Sequence, residues 1–186
     1  MIKKKILAIN PINPDNCLVE SISGIEEQER FCVINSSGIK PDIYLISSFG
    51  RLFSFETEKE ILPYKGKYPK YKFKTTDGMT HTYMINRLVA EAFVPKTKAD
   101  IKLKRDMIHC RDWNGRNSDY RNLQWVNNTE LKILTAIKNG RNDQEYYKIY
   151  IKQLLDLDYS QSEICKLLPN IPANNVKGFI KFISTM

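Results

Sequence analysis

Residues 107–131 read MIHCRDWNGRNSDYRNLQWVNNTEL, and how this stretch is read decides the fold of the chain. It holds His109, one of 2 histidines, and gathers Asp112, Asn114, Asn117, Asn122 and Trp125 into a short window. Asp and Asn cluster where a backbone turns sharply or where oxygen ligands are wanted. The pattern predicts a strand over Met107–Cys110, a polar loop over Arg111–Arg121, a strand over Asn122–Val126 and a helix from about Asn128. A strand–loop–strand–helix unit of this composition can hold one hard divalent ion over a nucleic-acid phosphate.

Asp112, Asn114, Asn117, Asn122, Leu123, Trp125, Val126 and Glu130 fall without a gap on a spaced pattern. The window thereby resembles the HNH nuclease family, in its homing-endonuclease branch. That pattern is Asp-x-Asn-x-x-Asn, then Asn-Leu-x-Trp-Val, then Glu-Asn, preceded by Asp/Asn-His. Continued backward, the register puts Cys110 where the family has its general-base histidine, and His109 on the preceding metal-ligand position. Continued forward, it puts Leu131 where the family has its second metal ligand. Asn122, the middle asparagine, keeps its place.

These departures have chemical weight. A general base contributes roughly 10²–10⁴-fold. A thiol has a reference pKa of about 8.5 against about 6.5 for imidazole, and it is a soft ligand beside a hard ion. Leu131 offers no oxygen. A one-residue shift would let His109 act as the base, at the loss of the first metal ligand. The resemblance thus implies catalytic positions at His109, Cys110 and Asn122 and metal positions at His109 and Asp112. It implies Mg²⁺ or another divalent ion if the chain is active, and no cofactor otherwise.

The formal net charge of +8 over 186 residues favours a polyanionic partner, and a hydrophobic share of 42% allows a real core. The cysteines at 17, 32, 110 and 165 form no Cys-x-x-Cys pair, so zinc spacing is absent and a reducing compartment is expected. No run approaches the roughly 20 apolar residues of a membrane span, and the apolar part of MIKKKILAIN is too short for a signal peptide. A cytoplasmic, soluble protein with no membrane partner is expected.

Residues 1–40 carry no motif; Cys17–Ile22 and Phe31–Ile34 read as short strands around a charged loop, and 36–38 as a turn. Residues 41–98 hold two hairpins, one turning at Gly50 and one at Asp77-Gly78. A helix follows, with Ile85, Leu88, Val89, Ala92 and Phe93 on one face and Pro95 as its stop. Tyr44-Leu-Ile-Ser47-Ser48-Phe-Gly50-Arg51-Leu52 and Asn86-Arg87-Leu88-Val89-Ala90-Glu91-Ala92-Phe93 resemble the nuclease-associated modular domain that precedes the HNH unit in phage homing endonucleases. Asn86 stands at that motif's histidine. The resemblance implies a small β-sheet plus helix that contacts DNA. Arg51, Lys65, Lys67, Lys70, Lys72, Lys74 and Arg87 are candidate phosphate contacts, and Arg111 and Arg116 of the polar loop join them. His81 reads as a surface or packing residue.

Lys96–Arg105, KTKADIKLKR, reads as a basic linker. In the helix after the polar loop, Leu131 and Leu134, with Ile133 or Ile137, are expected to face inward. Asn139-Gly140 stops it. Three helices follow. Tyr147, Tyr150, Ile151, Leu154 and Leu155 give the first its face, Ser160-Gln-Ser-Glu163 caps the second, and Val176, Phe179, Ile180 and Ile183 space the third. Leu155, Asp158, Ser160, Glu163, Ile164 and Cys165 resemble the helix-turn-helix tail of homing endonucleases. Asp158 takes the glycine's place there, which Asp tolerates. Asn174, Asn175, Lys177 and Lys181 are its candidate DNA readers.

The expected fold class is α+β: a small modular β-sheet plus helix domain (41–98), a ββα-metal-like HNH unit (99–140) and a C-terminal three-helix helix-turn-helix (141–186), after an N-terminal segment (1–40) without an assigned role. The Lys, Ile and Asn content fits an AT-rich genome such as a phage. Three readings stay open. One is a binder of double-stranded DNA of this lineage with nuclease activity lost or impaired. Another is an active metal-dependent endonuclease that nicks double-stranded DNA. In the third, the scaffold is reused in a phage assembly with a phage or host protein partner.

Overall fold

The computed structural model describes residues 29–34, 39, 43–64, 66–76, 78–141, 144–169 and 171–184. The expected strand at 17–22, the turn at 36–38 and Lys65 lie outside the described residues. The described residues up to Lys96, with Ile108–Trp125, form one compact unit; Thr97–Met107, with the described residues from Val126 onward, form a second. The chain is mixed α+β. Among the described residues no helix is long and apolar enough to cross a membrane.

In the first unit, β1 (Phe31–Val33), β2 (Tyr44–Ser47), β3 (Leu52–Ser54) and β4 (Lys59–Ile61) form a four-stranded antiparallel sheet in that order. Gly50, at φ +86°, turns β2 into β3. An added Cβ there would meet Ile85 Cγ2 at 2.6 Å and Ser118 Cβ at 2.7 Å, so glycine is required both by conformation and by space. β5 (Lys70–Lys74) and β6 (Thr80–Met84) pair as the second hairpin, with Phe73 opposite His81. Tyr71 and Phe73 alternate inward while Lys70 and Lys72 face water. His81 is exposed, as read.

α1 (Ile85–Phe93) buries Ile85, Leu88, Val89 and Ala90 against Ile46, Leu52, Tyr71, Phe73, Leu123 and Trp125. Each fully buried side chain of this size stabilises by roughly 1.5–3 kcal/mol. The Tyr71 hydroxyl donates to Gly50 O at 2.9 Å, which ties the second hairpin to the first. β7 (Met107–Cys110) and β8 (Leu123–Val126) close a third hairpin. β8 is shorter than expected because Tyr120–Asn122 takes a 3-10 turn, begun by the Asp119 side chain accepting from Arg121 N.

The second unit is helical. α2 (Lys98–Lys102) replaces the expected linker, because Thr97 and Asp100 form a capping box that starts a helix inside the basic run. α3 (Asn128–Lys138) begins with a second box, Asn127 with Glu130. α4 (Gln144–Leu155), α5 (Gln161–Leu167) and α6 (Ala173–Ile183) follow, with the Ser160–Glu163 box ahead of α5. Asp158 sits at φ +61° and Gly140 at φ +65°, the left-handed positions that both turns need. The core holds Leu103, Ile133, Tyr147, Tyr150, Ile151, Leu154, Ile164, Leu168 and Val176. Leu155 and Cys165 pack at its edge.

In α3 the inward residues are Glu130, Ile133 and Ala136, whereas Leu131 and Leu134 are only half-buried. The buried Glu130 accepts from Arg105 Nε at 2.9 Å, so a charged residue shares this face with Ile133 and Ala136. Asn127 also donates to Leu103 O at 3.2 Å. Asn127→Ala should therefore cost about 1–2 kcal/mol, as for other N-caps, read as a lower urea midpoint at unchanged slope.

Candidate functional site

The polar loop between β7 and β8 is built on Asp112. Its Oδ1 accepts from Asn114 N at 2.8 Å and Asn122 Nδ2 at 2.9 Å, and its Oδ2 accepts from Asn117 Nδ2 at 2.8 Å. Asn122 Oδ1 accepts from Asp112 N at 3.0 Å, so the two side chains clasp each other across the loop's neck. Asn114 and Asn117 close further turns by accepting from Arg116 N and Asp119 N. These are side-chain mimics of backbone turns, the reason Asp and Asn dominate the segment. The donors, Asn117 first, hold the Asp112 carboxyl below its ordinary value. Trp113 takes a left-handed φ of +62° beside it.

Neighbouring strand residues face opposite ways, and this separates His109 from Cys110. His109 is 6% exposed and meets the Trp113 ring edge-to-face, with centroids 4.4 Å apart. The half-buried Cys110 Sγ accepts from Asn86 Nδ2 at 3.1 Å. The same Nδ2 donates to Gly115 O at 3.2 Å, and Asn86 Oδ1 accepts from Ser118 Oγ at 2.6 Å. The amide of α1 is thus satisfied on every side, with the thiol as one of its partners. Burial, with the Asp112 charge second, pushes the Cys110 thiol up against the opposing pull of Asn86. A raised thiol pKa lowers the thiolate fraction, the form that reacts. Alkylation at pH 8, mapped by mass spectrometry, should be several-fold slower at Cys110 in the folded chain than in denaturant.

Asn86 and Cys110, the two positions where the resemblance expects histidine, belong to different motifs, yet they touch. Sequence reasoning noted each departure and missed the pairing. The signal was there in the coincidence of two departures from the same residue type.

The donor set does not fit a hard divalent ion. Among the described residues no group of three or more His, Cys, Asp or Glu is placed to hold a metal. Both Asp112 oxygens are engaged in loop hydrogen bonds, and Leu131 supplies hydrocarbon. No step through a metal follows from these residues.

The candidate phosphate contacts divide. Arg51 is engaged by Glu60, through Nε at 3.2 Å and Nη2 at 2.9 Å, and by Glu29, through Nη1 at 3.0 Å. Its charge is matched by carboxylates in place. Arg87 pairs with Glu91 at 2.6 Å and lies over the Trp125 ring, which Lys96 also approaches. Trp125 is 7% exposed and donates to Val94 O, so this cluster is part of the core's edge. Lys67, Lys70, Lys72, Arg111 and Arg116 are exposed, and Lys74 lies on β5. In the second unit Asn174, Asn175, Lys177 and Lys181 are exposed along α6.

Sequence reading missed one further cluster in the second unit. Arg105, read as linker, turns inward to Glu130 through Nε at 2.9 Å and through Nη2, and to Asp100 through Nη1 at 2.8 Å. The Tyr150 hydroxyl donates to Glu130 as well.

No protein-family model matches the chain, and no curated protein matches it. Among solved structures, it is similar to one described as "DNA binding and cleavage by the HNH homing endonuclease I-HmuI", at 22% identity and a TM-score of 0.44, over 60% of this chain and 63% of that one. The chain therefore spans less than two thirds of that neighbour, and a likeness at this level carries no functional weight; the residues themselves must supply it.

Proposed function

We propose that the chain is a double-stranded-DNA-binding protein of HNH homing-endonuclease lineage whose nuclease chemistry is lost or impaired. Its segments are the modular domain at 41–98, the HNH-like unit at 99–140 and the helix-turn-helix at 141–186. The carrying observation is the contrast within one loop. Asp112, Asn114, Asn117 and Asn122 keep a complete hydrogen-bond scaffold, while the base position holds Cys110, a half-buried thiol that accepts from Asn86. The exposed cations Lys67, Lys70, Lys72, Arg111, Arg116, Lys177 and Lys181 support the DNA contact. An active endonuclease using His109 draws on the same intact loop, and on a histidine one residue away from the base position. The burial of His109 counts against it.

Binding of a labelled duplex, followed by anisotropy against salt, tests the proposal. Affinity should fall with a log–log slope of roughly −0.9 per phosphate neutralised. Arg116→Ala and Lys72→Ala should each weaken binding on every sequence and reduce the slope by about 1. Arg51→Ala should leave the slope unchanged, since Glu29 and Glu60 already hold that charge. An affinity that stays flat from low to moderate salt overturns the DNA-binding reading and favours a role in a protein assembly.

A further inference from the structure

The connection from β4 to β5 and the outer face of β5 interleave aromatic and basic side chains: Tyr64, Lys67, Tyr68, Lys70 and Lys72. Tyr64 is 58% exposed and Tyr68 49%. Neither position is loose. Tyr64 forms a bridge with Lys70, its backbone N donating to Lys70 O at 2.9 Å. The Tyr68 ring abuts Gly115 of the polar loop, where an added Cβ would lie 2.5 Å from two ring carbons. Arg116 fixes the same connection by donating from Nε to Gly66 O at 3.2 Å. Each ring has a cation over it on a flexible side chain, Lys72 Nζ 5.5 Å from the Tyr64 centroid and Lys67 Nζ 5.6 Å from that of Tyr68. Glu60, on the neighbouring β4, is engaged by Arg51.

Duplex phosphates require cations only, because paired bases are already stacked on one another. Fixed, half-exposed rings beside cations suit a different ligand: a base without a partner, stacked on the ring, with its phosphate at the ammonium. We infer that Tyr64 and Tyr68, with Lys67, Lys70, Lys72 and Arg116, form a stacking platform for unpaired nucleotides. This deepens the nucleic-acid reading above and rests on it. The shared chemistry of single-stranded DNA and RNA, a free base face and a phosphate, is what the platform takes.

The test uses the full chain and labelled oligothymidylate of about 20 nucleotides, longer than a typical single-strand site, beside a duplex of equal length and the matching oligouridylate. Tyr64→Leu, at an exposed position, should weaken oligothymidylate binding roughly 5- to 100-fold, the range for one stacked base. Duplex affinity should stay within about twofold, since phosphate contacts are untouched. Tyr64→Phe keeps the ring face and should bind as the parent does. Tyr68→Leu should repeat the loss. Preference for thymidylate or for uridylate supports the platform in either case and assigns its sugar. If Tyr64→Leu and Tyr68→Leu bind oligothymidylate as the parent does, the platform is overturned. The same holds if the parent binds duplex but no single strand, and both results leave duplex binding standing. Single-strand binding without duplex binding would keep the platform and remove the duplex reading.

Discussion

Arg105→Ala is expected to destabilise the helical unit by about 3 kcal/mol or more, the range for removing one partner of a buried ion pair. The Arg105 side chain is 17% exposed and its carboxylate partners are similarly covered. Truncation leaves Glu130 and Asp100 with negative charge and no cation. Burial alone lowers the guanidinium's proton affinity, but Glu130 and Asp100 outweigh it and hold Arg105 above its ordinary value. In a thermal melt of a unit this size the loss corresponds to roughly 4–8 °C per kcal/mol. Glu130→Gln should cost less in the Arg105→Ala background than in the parent, because the pair is coupled. Additive effects would show that the cluster is incidental.

The same cluster sets a pH dependence. Burial works to raise Asp100, but hydrogen bonds from Arg105 and Thr97 outweigh it and hold the carboxyl below its ordinary value. A depressed carboxyl contributes stability that is present above its unfolded pKa of about 3.9. That contribution is lost as pH falls through the lower folded value. Arg105→Ala should raise the acid-unfolding midpoint. A midpoint unchanged by the substitution would contradict the linkage.

Gain of nicking is the second large effect. With Mg²⁺ or Mn²⁺, the parent should retard supercoiled plasmid on a gel without nicking it. Cys110→His combined with Leu131→Asn should raise nicking by roughly 10²–10⁴-fold, the contribution of a general base. Asn86 Nδ2, now donating to Cys110 Sγ, can donate to an imidazole nitrogen instead and hold the ring. Nicking by the parent that His109→Ala abolishes would reverse the conclusion in favour of an active enzyme.

The local elements were legible because their causes are local. The Ser160–Glu163 box, the left-handed Asp158 and the apolar face of α1 each depend on residues within a few positions. β4 was not legible, since Lys-Glu-Ile has no strand pattern and exists by pairing with β3. Arg105 was misread as linker because a charge turns inward only when distant carboxylates meet it, here from positions 100 and 130. On α3 the expected Ile133 does face inward, while Leu131 and Leu134 are only half-buried and Glu130 is buried beside Arg105. Around the polar loop, the sequence supplied the turn chemistry of Asp112 and Asn122. It did not supply the contact of Cys110 with Asn86, 24 positions earlier. The tyrosines of 64–68 were passed over because the lysines between them drew the reading toward phosphate alone.

The two compact units are not consecutive pieces of chain. The backbone changes unit after Lys96, after Met107 and again after Trp125. A single break therefore cannot separate them. A fragment ending at residue 98 lacks Leu123 and Trp125, which complete the core around α1. Such a fragment would expose that core and aggregate on expression. Exchange of the first unit with a related gene requires paired breakpoints that carry 108–125 along with it. A single crossover within 97–125 would instead leave each hybrid with an interior drawn from two parents.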